Sequence, residues 1–142
     1  MSSDVVQVHL QAAREYLEVA ARLLKEEEYF AAILLAAVGA ERAVVALILH
    51  LGATPAPAHR HHLVLQQPEL RSRVPEKFSS NYERLIRETA LLMGELTTVR
   101  YAVWRGGRVV TPRQLYSKKE AQRLFDAAQH VVRTAEKIVS AR

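Results

Sequence analysis

The sequence predicts an all-α protein: an antiparallel bundle of four to five helices, with a small β-hairpin between the last two long ones. Two observations carry that prediction. The stretch Tyr29 to Leu51, YFAAILLAAVGAERAVVALILHL, is apolar on every side, with only Glu41 and Arg42 charged. A helix of that kind must be surrounded, and the segments before and after it show apolar stripes at three- and four-residue spacing that can surround it. At 142 residues the chain is expected to fold as one domain, 1–142, with a sizeable core.

The central helix would be roughly 35 Å long, which is also enough to cross a bilayer. Lipid is the weaker reading. Glu41 and Arg42 near its middle would each cost about 2.5–3.5 kcal/mol at a bilayer centre. Gly39 inside it costs about 1 kcal/mol against Ala, so a close approach of a neighbouring helix is expected there. Gly52 is placed to end it.

Before it, Val6 to Glu28 reads as a helix with Leu10, Ala13, Leu17, Ala20, Leu23 and Leu24 inward, capped by Ser2, Ser3 or Asp4. After it, Pro55 and Pro57 make an extended connection, and Pro68 and Pro75 break residues 62–74 into short pieces. Glu76 to Tyr101 is the next helix, burying Phe78, Tyr82, Leu85, Ile86, Thr89, Leu92, Met93 and Leu96. Gly106-Gly107 between two β-prone runs signals a two-residue hairpin, with a long irregular loop as the rival. Ser117 to Ala141 is the last helix, and Ser117 with Glu120 makes a capping box.

Charge is uneven. Residues 1–57 carry 4 basic and 7 acidic side chains, whereas residues 58–142 carry 16 and 8. A basic half suggests an anionic partner, although Arg-rich surfaces also occur with no partner at all. From Val99 to Lys119 six basic residues (Arg100, Arg105, Arg108, Arg113, Lys118, Lys119) occur with no acidic one, and Tyr101 and Trp104 lie among them. Cations beside aromatics suit a phosphate backbone with stacked bases; the alternative is a solvated loop with its aromatics tucked into the bundle. Within the hairpin, Arg105 would face Arg108, a like-charge pair that an anion would relieve. His61 and His62 are further candidates for a helix-start or RNA-contacting role, the alternative being a plain polar loop. With His59 they make a short tract that could bind a metal, but no Asp, Glu or Cys within it completes a site.

The chain has no cysteine, which excludes disulfides and thiolate metal sites and suits a cytoplasmic protein. The first ten residues lack the pattern of a secretory signal. One Asn, two Met and an excess of Arg over Lys suit a heat-adapted source. No metal or cofactor is expected.

Four patterns occur in order: AREYLEVAARLLKEEEYFAAILLAAVGAERAVVAL, HHL after the proline loop, Arg100-Tyr101, and LYSKKEAQRLFDAAQHVV. Together they resemble the HEPN family of small helical bundles over nearly the whole chain. The resemblance implies an antiparallel bundle paired as a homodimer. It also implies an accessory role beside a minimal nucleotidyltransferase, in a toxin–antitoxin-like system, with nucleotide or RNA as ligand. Some members cut RNA without metal through an Arg–x(4–6)–His motif, which Arg123 and His130 match here. The chain departs from the family pattern at Ala102-Val103, where Pro-Asp is usual, and at Val45, where a Lys is usual. His can move protons near neutral pH and Arg can hold a phosphate. Yet such a pair arises by chance in a chain with 15 Arg and 6 His, and both residues are expected on the solvent side of the last helix. Three readings follow: a nucleotide- or RNA-binding accessory bundle, a metal-independent endoribonuclease using Arg123 and His130, or a structural interaction module.

Overall fold

The computed structural model describes residues 3–98, 103–105 and 107–141. Four long helices make the body: α1 (Ser3–Lys25), α2 (Tyr29–His50), α5 (Ser79–Thr98) and α6 (Lys118–Ser140). Two short helices, α3 (His61–Leu65) and α4 (Pro68–Arg73), bridge α2 to α5. Pro68 occupies the first turn of α4, where its missing N–H costs nothing. A two-stranded antiparallel hairpin, β1 (Val103–Arg105) and β2 (Arg108–Val110), joins α5 to α6 with Arg105 opposite Arg108.

The apolar stretch is the hub. α2 touches α1, α5, α6 and α3, and 72% of its most apolar window is buried. By length and composition it could cross a membrane; here protein side chains surround it instead. α1 and α5 both pack on α2 and α6 but scarcely on each other. The four helices therefore run around the bundle in the order α1, α2, α5, α6, and the α1–α2 side lies opposite the α5–α6 side.

Local chemistry explains the boundaries. α2 ends in a Schellman turn. Gly52 adopts φ +82°, its N–H donates to the Leu49 carbonyl at 3.0 Å, and the Ala53 N–H reaches Ile48 at 3.0 Å. α1 stops at Lys25, before the expected Glu28, because the same turn forms one element earlier: Glu27 takes φ +62° and the Glu28 N–H donates to Leu23 at 3.0 Å. α5 begins at Ser79 and not Glu76, since the segment after Pro75 first winds as a 3₁₀ turn, Glu76–Phe78. A Cβ on Gly39 would lie 3.1 Å from the Tyr16 Cβ and 3.2 Å from the Ala13 carbonyl oxygen, so the glycine does admit α1 closely.

Candidate nucleic-acid interface

The α6 start is built by its cap. Ser117 Oγ accepts the Glu120 N–H at 3.1 Å, and Glu120 Oε1 accepts the Ser117 N–H at 3.2 Å. This presents Lys118 and Lys119 on the first turn and Arg123 on the next. Two cations at a helix N-terminus oppose the helix dipole, at a cost of roughly 0.3–1 kcal/mol each, which an anion would reverse. Across from them α5 contributes Arg84, Glu88 and Leu91, spaced four and three residues apart and so on one face. Between the two helices lies a groove of about 880 Å³. Its lining holds four cations, Arg84, Lys118, Lys119 and Arg123, against the carboxylates of Glu88 and Asp126, with Leu91 and Ala127 as apolar surface.

A second groove of about 370 Å³ shares Arg84 and Asp126 with the first and adds His130, Arg133, Thr134 and Lys137. His130 is not on the open solvent side as the helical pattern alone suggests. Its side chain is 19% exposed and its Nδ1–H donates to Glu88 Oε1, while the Thr134 hydroxyl lies 3.3 Å from Nε2. Glu88 Oε2 in turn accepts Arg84 Nε at 3.4 Å. Carboxylate, imidazole and guanidinium thus share one site, with Arg123 in the adjoining groove. Glu88 and Arg84 went unrecognised in the sequence, where nothing in the spacing of α5 says that this polar edge meets α6.

The other candidates lie elsewhere. Arg113 pairs with Glu28 at 3.6 Å, beside Tyr29, Phe30 and Tyr116, and does not line the α5–α6 groove. Arg108 is exposed on β2. Arg100 and Tyr101 lie outside the described residues, as do the side chains of Trp104 and Arg105.

His61 requires a correction. It is only 5% exposed, and its Nε2 lies 3.3 Å from Glu41 Oε2, so its ring faces α2 and not a ligand at the surface. His59 Nδ1 approaches the same oxygen at 2.5 Å, held there by left-handed backbone at Ala58 and His59. The carboxylate missing from the histidine tract is thus supplied by α2. Burial pushes the Glu41 carboxyl up, but hydrogen bonds from His61 and His59 outweigh it and hold its pKa at about 2. For His62, burial and then the neighbouring His61 charge lower the pKa, which favours the neutral ring. Arg42 donates to His9 Nδ1 at 3.4 Å. Among the described residues no group of three His, Asp or Glu side chains is arranged to hold a metal ion. Val45 is buried, so that position offers no surface contact either.

A family model described as HEPN domain matches residues 6–138. The chain belongs to the HEPN family. The crystal structure of TT1696 from Thermus thermophilus shares its fold, with a TM-score of 0.70 at 25% identity, covering 93% of this chain and 96% of that one. No curated protein sequence matches. The HEPN fold therefore accounts for nearly all of the chain, including the two helices that form the groove.

Proposed function

We propose that this HEPN domain is a binding module for phosphate-bearing ligands, nucleotide or RNA, acting as the accessory subunit of a nucleotidyltransferase-linked, toxin–antitoxin-like system. It acts as a homodimer. One observation carries the reading: four cations line the α5–α6 groove against two carboxylates, and two of the cations stand at a helix N-terminus, where the helix dipole disfavours them and an incoming anion offsets that. Leu91 and Ala127 offer apolar surface on which a base can lie.

A second reading has its own support. His130 is fixed by Glu88 and stands one groove away from Arg123. A carboxylate-held imidazole with an arginine near by is the equipment of metal-free phosphodiester cleavage, in which the 2′-hydroxyl is deprotonated and the phosphorane charge is neutralised.

One experiment separates the two. Labelled transfer RNA is incubated with the protein in EDTA and run on native and denaturing gels in parallel. Binding alone gives a shift without cleavage, lost when Lys118, Lys119 and Arg123 are changed to Ala. Cleavage abolished by His130→Ala establishes the nuclease. Neither shift nor cleavage removes RNA as the ligand.

A further inference from the structure

We propose that the two α5–α6 grooves are one track, which holds a single strand of about five nucleotides by its phosphates. This rests on the phosphate-binding reading above and narrows it, from nucleotide or RNA to an oligonucleotide.

The grooves meet at Arg84 and Asp126, which line both. Their walls run on from one to the other. On α6, Lys119, Arg123, Asp126, His130, Arg133 and Lys137 follow at alternating four- and three-residue steps and so share one face of the helix. On α5, Asn81, Arg84, Glu88 and Leu91 do the same along the facing wall. From Lys118 to Lys137 the track follows α6 for about 28 Å.

Charge is sorted along this face. The acids are engaged: Glu88 by His130 and Arg84, Asp126 by Gln122 Nε2 at 2.8 Å, and Glu136 by Arg14 at 3.2 Å. Lys118, Lys119, Arg123, Arg133 and Lys137 are exposed and make no ion pair among the described residues. Like charges four residues apart repel on a helix, and two such pairs stand at the two ends of the track, Lys119 with Arg123 and Arg133 with Lys137. The centres of the two pairs are about 21 Å apart along α6. A mononucleotide relieves one pair; only a chain of phosphates relieves both.

The length fits a strand, since about five nucleotides is at the low end of the ~4–16 that single-strand sites span. Among the described residues no aromatic ring lines either groove. Base stacking therefore has no platform there, the strand is held through its backbone, and base identity should matter little.

The test is fluorescence anisotropy with end-labelled oligouridylates of two, five and eight nucleotides, 2′-O-methylated so that cleavage cannot intervene. Kd should fall at least tenfold from two to five nucleotides and change little from five to eight. A five-residue oligocytidylate should bind like its uridylate counterpart. Arg133→Ala with Lys137→Ala should weaken the pentamer at least tenfold and leave the dinucleotide within twofold. Both residues are exposed, so the circular dichroism melt should not move. The same double variant should flatten the pentamer's slope of log K against log salt by about 1.4, at about 0.7 per lost phosphate contact. A pentamer that binds no tighter than the dinucleotide, or that is indifferent to the double variant, overturns the track while the phosphate-binding reading stands. Binding at none of the three lengths overturns both.

Discussion

Glu41 shows how one residue takes its meaning from distant ones. In the chain it interrupts an apolar run; in the fold it receives His59 from the loop after α2 and His61 from the start of α3. Its folded pKa of about 2 lies below the ordinary value of 4.5, so the stability it contributes is present above pH 4.5 and is lost as the pH falls towards 2. Glu41→Gln should therefore destabilise by about 1–2 kcal/mol at pH 7, the worth of a charge-assisted hydrogen bond. Paired urea titrations of the two proteins should show the gap closing between pH 4.5 and pH 2. Gly39 was legible from sequence alone, because a helix accepts glycine at a cost only where something needs the space. Its neighbours Tyr16 and Ala13 were not. Gly39→Val, which drives a branched side chain into the α1 backbone, should lose about 1–3 kcal/mol by overpacking.

Among elements, the ends of α1 and α2 make a matched comparison. Both close with a Schellman turn, but one uses Gly52 and the other Glu27 in the left-handed region. A side chain there costs roughly 1–2 kcal/mol. Glu27→Gly should raise stability by about 0.5–1 kcal/mol, the strain relieved less the added chain entropy, visible as a higher Tm. The α6 capping box was readable as Ser117 followed by Glu120, because its chemistry spans four consecutive residues. Ser117→Ala should cost about 1 kcal/mol, and it should also loosen the turn that presents Lys118 and Lys119. The hairpin was readable too, from Gly106-Gly107, and Arg105 does stand opposite Arg108 in the register. The basic run from Val99 to Lys119, by contrast, does not act as one segment. The fold sends Arg113 towards Glu28 and takes Lys118 and Lys119 to the α5–α6 groove.

For the molecule as a whole, the fold gathers cations from α5 and the start of α6 into one groove. If the four groove cations contact phosphates of a single strand, log K should fall with log salt at a slope of about −3. Removing Lys118 and Lys119 together should then flatten that slope by about 1.4, which filter binding across a several-fold range of salt can measure. The all-α class, the hub helix, the hairpin and the family are all written in the chain, because each rests on local periodicity, on a cap or turn of a few residues, or on patterns in chain order. Which polar residues meet is a property of the packed bundle. Glu88 joins His130 across 42 positions, Glu41 gathers histidines from 18 and 20 residues on, and Arg84 lies across the groove from Lys118. The physical reason is that an amphipathic pattern tells a helix which side to bury but not which neighbour its polar edge will face. That is settled by the order in which helices pack around α2, and it leaves no periodic trace in the chain.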